Sequence, residues 1–512
     1  MNLVVNSQQM KGIDTFTCEQ IGIPAIVLME RAALKVAEEI KKHADKKTKI
    51  LAVCGLGNNG ADGIATARIL FSEGYQVDIL LVGDETRALE LTKQQINIAA
   101  KLSISIYNNI NLSEYTILID AIFGIGLNRP ITGIYEDIIN EINNEEKLVF
   151  SVDVPSGLST DTARPQNVAV KANYTITFGL TKLGLILYPG CEYAGNVIVV
   201  DIGFPQKAIE NYLSNCFFYD SYDLLRLPKR KNYSNKGTFG KVLIIAGSFN
   251  MSGACYFSAK SAYRTGAGLV KVVTTEENRT IIQSSLPEVI LTTYQSNSND
   301  INNINKIVAD IEWASVIAIG PGIGNNSMSE QILDLVINKA TVPLIIDADA
   351  INILSNKLNK LVPNMNSNDR IKELTKILPE QTILTPHLKE LSKLINIPVN
   401  EVMTNLLPIS NLCTSDNNLI FVMKDARTIV AHENSRYINV SGNNGMATGG
   451  SGDVLTGIIA ALIAQGLDAR EAAMLGVYVH GLAGDIADKK KGKYSMMASD
   501  IIESLSEVLK ID

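Results

Sequence analysis

A glycine-rich turn that ends in an aspartate is the first feature of this sequence with the composition of a chemical site. Four of the ten positions from Gly445 to Val454 are glycine, and an apolar stretch with helical spacing follows. Such a turn lets several backbone amides approach an anion at the positive end of a helix, and Asp453 places a carboxylate beside it. Asp453 could instead serve only as the N-cap of that helix. The turn therefore indicates an anion site with an adjacent base, or a capped helix beginning near Asp453.

Oxygen-bearing side chains at the ends of predicted strands form a second candidate site. Residues 57–63 read GNNGADG, which is typical of a phosphate-binding loop but also of a plain tight turn. Asp120 ends one later predicted strand, and Asp153 and Ser156 follow the next. Because the carboxyl ends of parallel strands converge on one crevice, these side chains and Asn59 would meet there, and their oxygens suit a hard cation. Alternatively, Asp120 and Asp153 could cap helices, and Asn59 could satisfy a turn.

A histidine and a pair of aspartates in the second half are further candidates. His387 follows Pro386 at the end of a predicted strand, so we expect it at the loop edge in a site role, although a lone histidine is more often structural. Asp347 and Asp349 could serve a metal or cap the helix that follows them, and both alternatives stay open. No function is assigned to the remaining histidines, which are His43, His432 and His480.

Short apolar segments alternate with helical patterns along the chain, and these elements would position the candidate residues. This alternation favours a mostly parallel, doubly wound sheet with helices on both faces. The predicted strands of the first half lie within residues 50–54, 76–83, 115–124, 147–157, 172–179 and 196–203. Between Asp201 and Lys236 the rhythm breaks into a mixed stretch with a basic cluster. We therefore predict two α/β domains, residues 1–222 and residues 223–512.

The second predicted domain alternates in the same way but ends differently. Its predicted strands lie within residues 241–248, 268–275, 316–322, 343–349, 382–387 and 419–425. Two long apolar helices, opened by the glycine-rich turn, close it. The two halves are therefore not repeats of one unit.

The composition excludes several classes of protein. Hydrophobic residues make up 46% and charged residues 19% of the 512 residues, which is ordinary for globular α/β proteins. The net charge of -7 argues against a surface that coats nucleic acid. The six cysteines lie far apart without a CxxC pair, which favours a reducing compartment over a zinc site or a disulfide framework. Since no apolar run reaches the ~20 residues that span a bilayer and no targeting segment is evident, we expect a cytoplasmic protein.

The loops of the first half resemble the NAD(P)H-hydrate epimerase domain. The motifs GNNGADG, DAIFGIG and VDVPSGL carry this resemblance, which covers roughly the first 220 residues and implies a Rossmann-like three-layer α/β/α fold. It implies a potassium ion bound by Asn59, Asp120 and Ser156, and it makes Asp153 a substrate contact and our candidate acid or base. Further contacts with the hydrate are implied at Asn58, Asn59, Gly60, Ala61, Asp62, Gly124, Ile125, Gly126, Leu127, Asn128, Arg129 and Pro130. Ala61 stands where the family commonly has glycine, which matters only if the backbone there needs a positive φ.

The second half resembles the ADP-dependent NAD(P)H-hydrate dehydratases of the ribokinase-like superfamily. The motifs that carry this resemblance span about 270 residues in order, and include NKGTFGKVLIIAGS, IGPGIG, IIDADAIN, LTPHLKEL and MATGGSGDVLTG. It implies contacts with the hydrate at Ala254, Gly322, His387 and Asp453. Contacts with the adenine nucleotide are implied at Lys424, Asp425, Ala426, Arg427, Thr428 and Gly452, with Mg²⁺ accompanying ADP. Departures from the family pattern are Asn444 in place of a proline and KDAR in place of KGA.

Together the two resemblances imply an enzyme that repairs hydrated NADH and NADPH. Asp453 would take the proton of the hydrate's hydroxyl group as its oxygen attacks the β-phosphate of ADP, with the amides of residues 449–452 stabilising the charge. Elimination would restore the dihydropyridine and release AMP and phosphate, while the first half interconverts the two C6 epimers. Rival hypotheses are a small-molecule kinase and a first half that only binds or scaffolds. We expect a homo-oligomer that acts on small molecules, with neither nucleic acid nor membrane as partner.

Overall fold

The computed structural model describes residues 1–510 except residues 128, 213, 296–300, 362–364 and 416. It divides into two compact units: Asn2–Cys216 form the first, and Met1 with Phe217–Asp512 forms the second. Within the described residues, no helix combines the length and the apolar character needed to cross a membrane. In the described part of the chain, no disulfide links any of the six cysteines.

A seven-stranded sheet, parallel throughout, forms the centre of the first unit. In spatial order its strands are Ile106–Tyr107, Gln76–Leu81, Lys49–Cys54, Ile117–Ala121, Leu148–Val152, Tyr174–Phe178 and Asn196–Val200. The chain order reverses between Lys49–Cys54 and Ile117–Ala121, which is where open α/β sheets bind their ligands. Two short strands of this unit, Asn2–Val5 and Thr181–Lys182, lie outside this sheet and pair with each other in parallel. The predicted doubly wound parallel sheet is confirmed.

Helices bury both faces of this sheet. Alternate residues of the central strand Lys49–Cys54 pack into two different hydrophobic clusters, because successive side chains of a strand point to opposite faces. Helices Ala25–Ile40 and Asn58–Ser72 contribute to the first cluster, and Ile134–Asn144 contributes to the second. The α-helices of the unit are Ser7–Thr15, Ala25–Ile40, Asn58–Ser72, Glu90–Lys101, Ile134–Asn144, Leu183–Ile186, Gly190–Ala194 and Gln206–Asn211. These layers are the predicted α/β/α arrangement.

The second unit is also an α/β structure built on a largely parallel sheet. Its strands, in spatial order, are Ile290–Tyr294, Leu269–Thr275, Lys241–Ile245, Val316–Ile319, Leu344–Ile346, Ile383–Leu384, Ile420–Met423, Ile429–His432 and Ser435–Ile438. The pairing is parallel as far as Ile420–Met423, and the last two strands add an antiparallel edge. Its α-helices are Ser252–Arg264, Arg279–Ser285, Ile301–Trp313, Ser327–Lys339, Ala348–Leu361, Ser367–Ile377, Leu388–Ile395, Val399–Thr404, Leu406–Cys413, Ser451–Ala464, Ala469–Lys491 and Ala498–Val508.

Candidate active sites

A cavity of about 720 Å³ opens in the first unit, among the loops that follow its parallel strands. The predicted residues that line it are Asn58, Asn59, Asp62, Gly124, Ile125, Gly126, Leu127, Arg129 and Asp153. Gly60 and Ala61 lie behind the lining: a Cβ on Gly60 would be 1.9 Å from the carbonyl oxygen of Gly55, and Ala61 is buried in a hydrophobic cluster. Ala61 has a helical backbone, so its methyl group is accommodated. Pro130 is exposed outside the lining, and Asn128 lies outside the described residues.

The predicted potassium ligands form one cluster beside this cavity. Asp120 Oδ2 accepts a hydrogen bond from the backbone amide of Ser156 at 2.8 Å. The Ser156 hydroxyl in turn accepts from the amide of Phe123 at 2.8 Å. The Asn59 side chain lies against Gly124, the residue after Phe123, since a Cβ on Gly124 would be 3.3 Å from Asn59 Oδ1. Asp120 bonds to the neighbouring strand and loop and caps no helix, so its capping alternative is wrong.

This cluster fits a monovalent cation with oxygen ligands. The Asp120 carboxylate is fully buried and accepts from the hydroxyl of Ser151 at 2.7 Å, and no cationic side chain among the described residues pairs with it. Burial raises the pKa of Asp120, against the hydrogen bonds from Ser156 and Ser151. Asn59 Nδ2 is buried without a partner in the described part of the chain, and rotation of the amide would place its oxygen there. A cation would neutralise the carboxylate and use that oxygen.

A buried ion pair between Asp153 and Lys182 lines the same cavity. Lys182 Nζ donates to Asp153 Oδ1 at 2.7 Å, and to Thr177 Oγ1 and the Phe178 carbonyl oxygen at 2.8 Å each. Burial lowers the pKa of Lys182, while Asp153 favours the charged amine. Asp153 therefore bonds to the neighbouring strand, and its helix-cap alternative is wrong. Sequence reasoning missed Lys182 because a lone lysine carries no motif, although its place just after the strand Tyr174–Phe178 was a usable signal.

Two more carboxylates belong to this cavity, the predicted Asp62 and the unpredicted Asp14. Burial, and then the charges of Asp153 and Asp14, raise the pKa of Asp62. Burial and Asp153 likewise raise the pKa of Asp14. Cations also line the cavity, namely Lys11, Arg87, Arg129 and Lys182. The crevice thus contains two kinds of group: carboxylates that can exchange protons, and cations that suit the phosphates of a dinucleotide.

In the second unit, the glycine-rich turn opens the helix Ser451–Ala464. Gly450 is the N-cap, with a φ of 90°, and a Cβ there would lie 2.7 Å from the ring of Phe257. Asp453 is inside the first turn, so its N-cap alternative is wrong: the left-handed cap position calls for glycine. Burial, and then the charge of Asp347, raise the pKa of Asp453 to about 7. Such a carboxylate can accept a proton at neutral pH.

The predicted nucleotide contacts lie next to this turn. Residues 424–428 connect the antiparallel strands Ile420–Met423 and Ile429–His432. A Cβ on Gly452 would lie 3.4 Å from Lys424 Nζ, so the ammonium group and the glycine-rich turn are neighbours. Asp425 and Ala426 are exposed, Arg427 donates to the carbonyl oxygen of Val440 at 2.9 Å, and Thr428 donates to that of Asp425 at 3.2 Å. The loop therefore offers a cation where the helix offers its first amides.

The predicted contacts with the hydrate fall into two groups. A Cβ on Gly322, whose φ is 61°, would lie 2.9 Å from Ala254 Cβ, so these two residues are adjacent. His387 is the N-cap of Leu388–Ile395, and its Nδ1 accepts from two amides of the first turn at 3.1 and 3.3 Å. The structural role left open for His387 is therefore present. Half of its side chain is exposed, and its contact with the hydrate stays a prediction.

Among the described hydrogen bonds, neither of the aspartates left open, Asp347 and Asp349, accepts through its side chain from an amide of the helix Ala348–Leu361. Asp347 accepts hydrogen bonds from the side chains of Thr385, Lys424 and Thr456. Asp349 accepts from a backbone amide outside that helix at 2.9 Å. In the part of the chain that the structure describes, no group of three or more His, Cys, Asp or Glu side chains is arranged to hold a metal ion.

Comparison with known proteins matches both units. Residues 25–184 match the family described as YjeF-related protein N-terminus, and residues 242–507 match the family described as NAD(P)H-hydrate dehydratase. Bifunctional NAD(P)H-hydrate repair enzymes of Thermofilum pendens and Moorella thermoacetica are each 33% identical to this chain, over 99% of it and 96% of their own length.

The fold of the second half has a counterpart among solved structures. A ribokinase-like superfamily protein of Enterococcus faecalis resembles 58% of this chain and 97% of its own, with 30% identity and a TM-score of 0.50. This likeness confirms the predicted ribokinase-like fold. The full-length relatives favour repair over the rival kinase and scaffold hypotheses, since they carry both halves in one chain. The chain therefore belongs to the family of bifunctional NAD(P)H-hydrate repair enzymes.

Proposed function

We propose that the two units divide the repair of hydrated NADH and NADPH, with epimerisation in the first and ADP-driven dehydration in the second. The arrangement around Asp453 carries this proposal. Its carboxylate, with a pKa of about 7, lies in the first turn of a helix, beside a glycine-rich turn and close to Lys424. A base, a row of amides and a cation are the groups that transfer of a phosphoryl group to a hydroxyl requires.

Dehydration needs a better leaving group than hydroxide, and the phosphoryl transfer supplies it. The hydroxyl oxygen of the hydrate attacks the β-phosphorus of ADP, the bond to AMP breaks, and Asp453 takes the hydroxyl proton. The amides of residues 449–452 and the Lys424 ammonium stabilise the charge of the transferring group. Phosphate then leaves with the electrons of its C–O bond, a proton leaves the neighbouring ring carbon, and the dihydropyridine is restored. Ala254, Gly322 and His387 contact the hydrate, and residues 424–428 with Gly452 contact the nucleotide.

Epimerisation allows both C6 epimers to reach a stereospecific dehydratase. Inversion at C6 requires bonds at that carbon to open and re-form while a proton moves on and off the substrate. Asp153 is the proposed acid or base, because it lines the 720 Å³ cavity and forms an ion pair with Lys182 at 2.7 Å. The loops of residues 58–62 and 124–130 hold the hydrate around that pair.

Two ions belong to the proposal. Potassium would be held by Asn59, Asp120 and Ser156, where the buried carboxylate and the unpartnered amide fit it, and it would supply a fixed positive charge beside the crevice. Mg²⁺ would enter with the phosphates of ADP, whose charge it neutralises, and we assign it no protein ligand. We place the enzyme in the cytoplasm, in keeping with cysteines that form no disulfide among the described residues.

A repair assay tests this function. Hydrated NADH, equilibrated between its epimers, is incubated with the protein and ADP, and the absorbance of NADH is followed, with ATP in a parallel sample. Recovery should be complete with ADP, because the first unit converts the epimer that the second unit cannot use. A small-molecule kinase would consume the nucleotide without restoring NADH. Absence of recovery with both nucleotides would contradict the proposal.

A further inference from the structure

Asp347 is a buried carboxylate with three side-chain hydrogen-bond donors, yet the reaction scheme does not use it. It ends the strand Leu344–Ile346 and is 1% exposed. Its Oδ1 accepts from Thr385 Oγ1 at 2.7 Å and from Lys424 Nζ at 2.8 Å, and its Oδ2 accepts from Thr456 Oγ1 at 2.7 Å. Three donors from separate elements thus fix one buried anion, which leaves little freedom to the lysine bonded to it.

The partners of Asp347 lead directly to the proposed reaction centre. Lys424 Nζ lies near Gly452, where a Cβ would approach it to 3.4 Å. Thr456 belongs to the helix Ser451–Ala464 that carries Asp453 in its first turn. Asp347 therefore bonds at once to the lysine beside the glycine-rich turn and to the helix that the turn opens.

We propose that Asp347 is a positioning residue of the dehydratase, which holds the Lys424 ammonium against the glycine-rich turn and governs the charge state of Asp453. The proposal rests on the dehydratase function proposed above. Asp347 touches neither nucleotide nor hydrate in this scheme. It acts by holding the Lys424 ammonium near the phosphate position. It also partly neutralises the charge of Lys424, which weakens the electrostatic effect of that lysine on Asp453.

The charges around Asp453 give this role a sign that can be measured. Asp347 and Asp349 raise the pKa of Asp453, and Lys424 lowers it. The thiol of Cys255 is also within electrostatic reach of Asp453. Removing the Asp347 charge takes away one repulsion and leaves Lys424 without its closest counter-charge, so the pKa of Asp453 should fall. Removing the Lys424 charge should raise it.

Three other ionisable groups lie near this network without altering that sign. Burial and then the charge of Lys424 lower the pKa of His387, and Asp347 raises it, so loss of Asp347 shifts the pKa of His387 downward as well. Ser451 lies in the same helix turn as Asp453, and His480 Nε2 is 3.3 Å from Ser451 Oγ. Burial lowers the pKa of His480 to about 4, so His480 is neutral near pH 7. Glu390 faces Lys424 and favours its charged form. Loss of Asp347 would therefore leave Lys424 charged, and the Lys424 charge would lower the pKa of Asp453 more strongly.

The test compares pH profiles of dehydration for Asp347→Asn and Lys424→Gln in the full-length protein, with ADP and the epimer that the dehydratase consumes. The acidic limb of kcat/KM should move to lower pH by at least about one unit in Asp347→Asn, and to higher pH in Lys424→Gln. The KM for ADP should rise in both variants, because the lysine is misplaced in one and absent in the other. Thr456→Val is the matched control: it removes one hydrogen bond from Asp347 but no charge, so its acidic limb should stay in place.

Each outcome decides the proposal. If Asp347→Asn lowers the rate with the acidic limb and the KM for ADP unchanged, Asp347 is only structural and the inference is overturned. Shifts of the same sign in the two charge variants would also overturn it. If Asp347→Asn does not fold, Lys424→Gln carries the charge test: its acidic limb must move to higher pH while that of Thr456→Val stays in place, and no difference between the two would overturn the inference. A wild-type protein that lacks ADP-dependent repair altogether would refute the proposed function instead.

Discussion

Replacing Asp453 by asparagine should stabilise the second unit in alkaline solution while it removes the proposed base. The pKa of Asp453 is 3.8 in the unfolded reference and about 7 in the fold. Because the folded pKa is raised, the cost of ionising Asp453 is absent below the lower value and complete above the upper one. The whole shift corresponds to about 4 kcal/mol, and the cost already reaches about 2 kcal/mol near pH 5.5. Asparagine does not ionise, so its advantage over wild type should grow by about 2 kcal/mol between roughly pH 5.5 and 8.5.

The chain provides a selective probe for this measurement. Trp313 is the one tryptophan in the sequence, and it lies in the helix Ile301–Trp313 of the second unit, with Lys271 Nζ 4.4 Å from its ring. Its fluorescence therefore follows unfolding of the second unit without a tryptophan signal from the first. Urea titrations of wild type and variant at both pH values give the free energies of unfolding, provided that the denaturant slopes agree.

Kinetics complete the same experiment. If Asp453 is the base, the variant should lose about 10²–10⁴-fold in dehydration with ADP still bound, and the epimerase rate should not change. A stability difference that does not vary between the two pH values would refute the raised pKa. Dehydration above about a tenth of the wild-type rate would refute the catalytic role.

Four further substitutions, one of them a control, test the remaining assignments. Gly452→Val would place methyl groups close to Lys424 Nζ, where a Cβ alone is 3.4 Å away, so calorimetry should show a severe loss of ADP affinity, and unchanged affinity would exclude this turn from nucleotide binding. Asp120→Ala should abolish epimerisation and its dependence on potassium while dehydration of the preferred epimer continues; full epimerase activity would remove the proposed ion site. Gly60→Ala should destabilise the first unit by about 1–3 kcal/mol, because its Cβ would meet a carbonyl oxygen at 1.9 Å. Gly57→Ala is the control: its Cβ would meet nothing within 4 Å, and it should cost less than about 1 kcal/mol. Hydrogen exchange of the helix Asn58–Ser72 can measure both effects.

The strands and the sheet edge were predictable because their signals are local. The strand Lys49–Cys54 is an apolar run followed by a glycine-rich loop, and its residues are buried on both faces of the sheet. Asp120 and Asp153 end or follow such runs, so parallel topology alone brings them to one edge. The structure places both beside the same crevice, Asp153 in its lining and Asp120 bonded to Ser156 behind it.

The partners of the charged groups were not predictable, because tertiary packing sets them. No motif marks Lys182, which becomes the ion-pair partner of Asp153 only when its short strand reaches the crevice. The sequence also left open whether Asp453 caps the helix after the glycine-rich turn. Gly450 takes the cap with a φ of 90°, which frees Asp453 from capping. His387 shows the reverse case, since it caps its own helix at a position where the sequence favoured a site role.

Both proposed sites place a lysine next to a buried carboxylate that follows a parallel strand, but they use the pair differently. In the first unit, the lysine pairs with the proposed proton-transfer group itself, Asp153, at 2.7 Å. In the second unit, Lys424 pairs with Asp347 rather than with the proposed base. Burial opposes the charge of Asp347, but Lys424 and the hydrogen bonds lower its pKa, while the pKa of Asp453 is raised to about 7. A base that must take the proton of a hydroxyl group while that group attacks a phosphate benefits from this raised pKa. A group that must both give and take a proton during inversion benefits instead from a partner of opposite charge, which balances its own charge. The two pairings therefore match the two chemistries.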